Sequence, residues 1–115
     1  MEKILIIEDD KTIREELSIL LSNNNYTVNT TIDFLNIEKV VKELNPDLIL
    51  MDINLPNTSG YEIIKIVKKV TNKPVIFVTS RNTLEDEIKS LNYGGYDFIT
   101  KPYNKELLLL KIRKC

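Results

Sequence analysis

A chain of 115 residues, 43% hydrophobic and 29% charged, suits one compact domain that buries a core without disulfides or a structural metal. The net charge of −1, with no basic tract, argues against nucleic-acid binding by this segment, and no apolar run approaches the ~20 residues that span a bilayer. The absence of histidine excludes imidazole catalysis and any role as a phosphohistidine donor, leaving carboxylates, hydroxyls and amines.

The first element is Ile4-Leu5-Ile6-Ile7, a continuous apolar run that reads as a strand buried on both faces and ends abruptly at Glu8-Asp9-Asp10. Thr12-Ile13-Arg14-Glu15 has the spacing of a capping box, and Ile13, Leu17, Leu20 and Leu21 form the stripe of a helix ended by Asn23-Asn24-Asn25. A short strand over 26–30 follows, then a helical stripe of Ile37, Val40, Val41 and Leu44 that stops before Pro46. Leu48-Ile49-Leu50-Met51 is the third strand, followed at once by Asp52. Beyond the loop of residues 54–60, helical spacing returns with Ile63, Val67 and Val70. Val75-Ile76-Phe77-Val78 is the fourth strand and runs into Thr79; Leu84, Ile88 and Leu91 mark the fourth helix. After the Gly94-Gly95 turn, Phe98-Ile99-Thr100 forms the fifth strand, ended by Lys101-Pro102, and the last helix begins near Asn104.

Five strand–helix units with buried strands imply an α/β fold: a doubly wound, five-stranded parallel sheet with helices on both faces. Such folds bind ligands beyond the carboxyl ends of their strands. The residues delivered there are Glu8, Asp9 and Asp10 after strand one, Asp52 after strand three, Thr79 after strand four and Lys101 after strand five. Each has a bland reading by itself: a helix cap for Asp10, a turn residue for Asp52, a turn cap for Thr79, a solvated lysine for Lys101. Their arrival at one rim makes the case. Clustered carboxylates repel and call for a cation, and all-oxygen ligands with water and phosphate suit Mg²⁺, with Mn²⁺ as its substitute. A carboxylate can act as nucleophile toward phosphorus, while a lysine and a hydroxyl stabilise the transferring phosphoryl group.

The segments ILIIEDDKTIREEL (4–17), NPDLILMDINLPNTSGYE (45–62), PVIFVTSRN (74–82) and DFITKPY (97–103) together resemble the CheY-like receiver domains of response regulators, closest in pattern to the OmpR/PhoB type. The resemblance spans the whole chain, 1–115, and implies a flavodoxin-like strand order of 2-1-3-4-5. It implies that Asp52 accepts a phosphoryl group from a sensor histidine kinase. Glu8, Asp9, Asp52 and the main-chain carbonyl of Asn54 would hold the metal, Asp9 directly. Thr79 and Lys101 would contact the phosphoryl group, Lys101-Pro102 would be a cis peptide, and Thr79 with Phe98 would form the switch. Such a domain catalyses its own phosphorylation and dephosphorylation without being a conventional enzyme. Arg81, two residues past Thr79, sits where family members vary and tune phosphoryl lifetime.

The single cysteine, Cys115, and the lack of an export signal fit a cytoplasmic protein. The last helix stops without a cap or turn, as a receiver cut before a C-terminal effector domain would, and DNA would be contacted only through that domain. Output through transcription is expected, with a stand-alone receiver as the alternative. An aspartyl-nucleophile phosphohydrolase would want D-x-D where Asp52-Ile53-Asn54 stands, and a flavin or nucleotide binder would be repelled by three acids after strand one. In Leu107-Leu108-Leu109-Leu110 the core-facing pair is expected to be Leu108 and Ile112, with Leu109 beside them. Leu107 and Leu110, flanked by Lys111 and near Tyr96, are then left as an apolar contact for a phosphorylation-dependent homodimer.

Overall fold

The computed structural model describes residues 2–115. Five strands, β1 (Lys3–Ile7), β2 (Thr27–Thr31), β3 (Leu48–Met51), β4 (Val75–Thr79) and β5 (Asp97–Thr100), form one parallel sheet in the order β2-β1-β3-β4-β5. Five helices connect and follow them: α1 (Lys11–Asn23), α2 (Ile37–Leu44), α3 (Gly60–Val67), α4 (Leu84–Asn92) and α5 (Lys105–Arg113). This is the doubly wound, flavodoxin-like arrangement expected from the sequence. No helix among the described residues is long and apolar enough to cross a membrane.

Period-two alternation along the strands divides the core into two layers. Leu5, Ile7, Ile49, Met51, Val75 and Phe77 pack with Ile37 and Val41 of α2 and with Ile63, Ile64 and Val67 of α3. Ile4, Ile6, Leu48, Leu50, Ile76 and Val78 point the other way, onto Leu17 and Leu21 of α1 and onto Leu108 and Ile112 of α5. Leu109 is half-buried beside them, and Leu107 and Leu110 face solvent.

Several local readings are corrected. The cap of α1 is Asp10, whose carboxylate accepts from Ile13 N at 3.1 Å, so Thr12 lies inside the first turn instead of opening a capping box. The second strand is 27–31, one residue later than expected. The helix carrying Ile63 and Val67 ends at Val67, and Val70 reaches the core from the turn that follows. The fourth helix stands where Leu84, Ile88 and Leu91 marked it, with that stripe outward: the three are 72%, 51% and 43% exposed. The inner line of α4 is instead Asp86 and Ser90, one turn apart, with Ser90 Oγ donating to the Asp86 carbonyl at 2.8 Å. The turn after the helix packs closely: a Cβ on Gly95 would lie 2.9 Å from both the Phe77 ring and the Ser90 carbonyl.

Candidate functional site

The strand ends deliver their polar groups as the doubly wound topology requires. β1 stops at Ile7, so Glu8 is the first residue past the sheet, and Asp52 stands in the same position after β3. Their backbones are linked, Asp52 N donating to the Ile7 carbonyl at 3.1 Å. Behind Asp52, a two-strand hairpin of Asn54–Leu55 and Thr58–Ser59 turns at Asn57, whose φ is +60°, and leads into α3. Ser59 caps that helix through Glu62 N. Gly60 is required here. A Cβ on it would fall 2.5 Å from the Asp52 carbonyl oxygen and 2.9 Å from Ile53 Cα. As the first residue of α3, this glycine lets the helix start directly against the backbone of Asp52.

Lys101 joins the two carboxylates. Its Nζ lies 3.0 Å from Asp52 Oδ2 and in contact with Glu8 Oε1, and the side chains of Lys101, Asp52 and Glu8 are only 12%, 8% and 3% exposed. Lys101 N donates to the Thr79 carbonyl at 2.8 Å, and the Lys101–Pro102 peptide is cis. Burial raises the Glu8 pKa above the ordinary carboxylate range, opposed by the Lys101 hydrogen bond and reinforced by the charge of Asp52. Burial also works against the Lys101 charge, but Glu8 and Asp52 outweigh it and the ammonium is held above its usual value.

A cleft of about 460 Å³ opens over this cluster, lined among others by Glu8, Asp9, Asp52, Asn54, Ser80 and Lys101. Asp9 is exposed at its mouth. Asp52 Oδ1 accepts from Asn54 N at 3.1 Å, and Glu8 Oε2 accepts from Asp10 N at 3.2 Å. Both oxygens of Glu8 and both of Asp52 are thus engaged within the protein, and Asp9 is the acid of this rim left open to solvent; Glu8, Asp9, Asp52 and the Asn54 carbonyl are the oxygens that could hold a metal. The described residues hold no ready-made cage of three or more acidic ligands. Mg²⁺ does not need one, because it is held through one or two carboxylates plus waters and phosphate oxygens. The donor set fits that ion.

Thr79 is fully buried as the last residue of β4, its Oγ1 accepting from Arg81 N at 3.3 Å. Phe98 is 5% exposed and packs in the same core layer as Phe77, so its ring occupies the inward position. Tyr96, Leu107 and Leu110 lie exposed on and beside β5. Lys111 differs from them. Its Nζ donates to Asp97 Oδ1 at 3.1 Å and to the Phe98 carbonyl at 2.8 Å, so it clasps α5 to β5 instead of facing a partner.

Two groups escaped the sequence reading. Arg14, half-buried on α1, donates to the carbonyls of Glu8 and Asp9 at 3.0 and 3.1 Å and fixes the acidic loop from beneath; an arginine one turn into a helix gives no signal of this. The second is a chain of contacts at the opposite lip. Arg81 Nε donates to Asn54 Oδ1 at 2.9 Å, and its other end reaches Asp86 Oδ1 at 3.5 Å. Asp86 also accepts from the hydroxyls of Thr83 at 2.8 Å and Tyr61 at 3.3 Å. Chiefly through the Thr83 hydroxyl, these donors hold Asp86 below the ordinary carboxylate range. The Thr83-x-x-Asp86 spacing was the available clue.

Comparison with known proteins agrees with this geometry. The family model described as the response regulator receiver domain matches residues 4–113. The transcriptional regulatory protein YxdJ of Bacillus subtilis is 34% identical over 113 residues, covering 98% of this chain and 49% of that protein. The N-terminal domain of the nisin resistance regulator NsrR superposes with a TM-score of 0.89 at 38% identity, covering 99% of this chain and 97% of that one. The beryllofluoride-activated NtrC4 receiver domain, solved as a dimer, superposes at 0.91 with 29% identity, covering 99% and 95%. The chain spans about half the length of the curated relatives it matches. A match across almost every residue, on a sheet whose strand ends gather Glu8, Asp52 and Lys101, places this chain in the receiver domain family of two-component response regulators.

Proposed function

We propose that Asp52 accepts a phosphoryl group from the phosphohistidine of a sensor histidine kinase and that the resulting aspartyl phosphate switches the face formed by α4, β5 and α5. The observation that carries this reading is the buried Asp52 carboxylate at the floor of an open cleft, paired with Lys101 at 3.0 Å. An Asp52 Oδ atom attacks phosphorus, the bond from phosphorus to the imidazole nitrogen breaks, and that nitrogen keeps the electron pair. Lys101 holds a cation beside the oxygens on which negative charge spreads, and Asn54 N orients the second carboxylate oxygen. When bound, Mg²⁺ supplies positive charge toward the phosphoryl oxygens; Asp9, Asp52 and the Asn54 carbonyl would hold it, Mn²⁺ replacing it.

Thr79 lies one strand over from Asp52, and its hydroxyl turns toward the new phosphoryl oxygen. The space it leaves stabilises the inward ring of Phe98, a population shift between packings and not a new fold. The consequence is read on Leu84, Ile88 and Leu91 of α4 with Tyr96, Leu107 and Leu110, which pair two copies of the domain. The match to half the length of YxdJ, a transcriptional regulatory protein, supports an output through transcription for the whole protein. Incubation with acetyl phosphate, with and without Mg²⁺, followed by intact-mass analysis, tests the assignment. One phosphate should be gained by the wild type with Mg²⁺ and none by Asp52→Asn. An Asp52→Asn variant that gains the same mass places the acceptor elsewhere.

A further inference from the structure

Beside the cleft over Asp52, a second hollow of about 510 Å³ lies between the loop after β2, the hairpin that follows Asp52, and α3. Ile32, Phe34 and Leu35 of the loop, Pro56 of the hairpin, and Ile63 and Ile66 of α3 give it an apolar lining. Phe34 and Ile66 pack half-buried against the core layer behind them, whereas Ile32 and Leu35 stand exposed. Small-molecule sites have this size and this make-up, mostly apolar with a few polar groups that select the ligand. The charged groups here are Asp9 and Asp33, and no lysine or arginine lines the hollow. Among the described residues neither carboxylate has an ion-pair partner. Asp33 accepts from the backbone amide of Asn36 at 3.3 Å and from its side-chain amide at 3.2 Å, which orients the charge without cancelling it. The α2 lysines Lys39 and Lys42 pair with Glu43 and Glu38 instead. An anion would be repelled from this hollow, and a neutral ligand would strip water from two carboxylates and give them nothing in return. A cation with an apolar body meets both demands.

We propose that this hollow binds a small organic ammonium with a hydrophobic body, and that its occupancy opposes divalent metal at Asp9. Phe34, Ile63 and Ile66 cover the apolar part, and Asp9 and Asp33 supply the counter-charge. The second half of the proposal rests on the reading of Asp9 as a metal donor. Asp9 lines both this hollow and the cleft over Asp52, so a cation seated in one raises the free energy of a cation in the other. By linkage the antagonism is reciprocal: metal weakens the ammonium by the factor with which the ammonium weakens metal.

The test is a titration followed by amide NMR shifts, with three probes that share one body and differ in the head: phenylbutylamine, phenylbutanol and phenylbutyrate. Without metal, phenylbutylamine should bind in the millimolar range and shift the amides of Ile32, Phe34, Leu35, Thr58 and Ile66. Phenylbutanol should bind about tenfold more weakly, and phenylbutyrate more weakly still. Asp33→Asn should weaken the amine about threefold and leave the alcohol unchanged. Asp33→Lys, a change on an exposed loop, should favour phenylbutyrate over the amine. Equal affinities for the three heads, an amine indifferent to Asp33→Asn, or shifts centred outside the hollow overturn the site. So does movement of the same amides when the chain alone is diluted, which would mean that a second copy fills the hollow. Saturating Mg²⁺ should weaken the amine about fivefold. Mg²⁺ that shifts Asp9 and Asp52 but leaves the amine affinity unchanged overturns the antagonism alone. If Mg²⁺ shifts neither residue, the metal reading falls and the antagonism with it, while the three probes still decide the site.

Discussion

Replacing Lys101 with methionine keeps the length and most of the apolar stem of the side chain but deletes the cation shared by Glu8 and Asp52. At 3.0 Å, one such pair is worth about 5 kcal/mol of gross attraction at an effective dielectric of 20, much of it offset by desolvation. Orphaning a buried charge costs about 3–5 kcal/mol net. The lower end applies here, because the cleft admits water on one side and Glu8, already pushed up by burial, can take a proton. We therefore expect Lys101→Met to lose about 3 kcal/mol at neutral pH without metal. At a urea slope near 1.5 kcal/mol per M, the midpoint falls by about 2 M. Divalent metal should then stabilise the variant more than the wild type, because no ammonium competes for the carboxylate oxygens of the rim. Asp9→Asn should do the opposite, holding its metal-free midpoint and losing the Mg²⁺-induced rise. Urea melts by circular dichroism across a Mg²⁺ titration measure all of this. A metal-free midpoint for Lys101→Met within about 0.5 M of wild type, or a Mg²⁺ response no larger than wild type, refutes the reasoning.

Gly95→Ala should destabilise by about 1–3 kcal/mol, since its methyl would meet the Phe77 ring and the Ser90 carbonyl at 2.9 Å. In a Phe77→Leu background at least ~1 kcal/mol of that cost should vanish, and a double-mutant cycle with no coupling would show that the ring is not the obstacle. Beryllofluoride and Mg²⁺ should drive self-association by sedimentation, with little difference between low and high salt because the exposed groups on that face are largely apolar. Leu107→Glu/Leu110→Glu should remain monomeric. An activated wild type that stays monomeric, or a double variant that associates equally, moves the interface elsewhere.

The strands were legible because a strand covered on both faces must be apolar at every position, and Ile4–Ile7, Leu48–Met51 and Val75–Val78 are. The rim was legible for a related reason: where such a run meets an acid or a lysine, the chain has left the sheet. Periodicity located α4 but not its orientation. It reports that a helix has two kinds of face but not which one turns inward, and here Asp86 and Ser90 take the inner side. Contacts such as Arg81 with Asn54 and Asp86, or Arg14 with the loop carbonyls, join residues through side-chain reach. No local spacing encodes them, except where a cap such as Thr83 brings a carboxylate into register.

α4 differs from the other four helices in contributing no apolar side chain to either core layer. Its tilting or partial unwinding therefore opens neither hydrophobic layer, and the contacts it breaks are chiefly hydrogen bonds, one ion pair and the seat of the Lys89 ammonium over the Tyr61 ring. Amide protons of α4 should exchange with solvent by local opening, well before those of α1, α3 or α5, whose exposure requires a core layer to separate. For the switch proposed above, that independence would matter, since a segment welded into the interior could report a change at Asp52 only by endangering the fold. The leucines that α4 leaves in water are the counterpart of that freedom: apolar surface withheld from the interior.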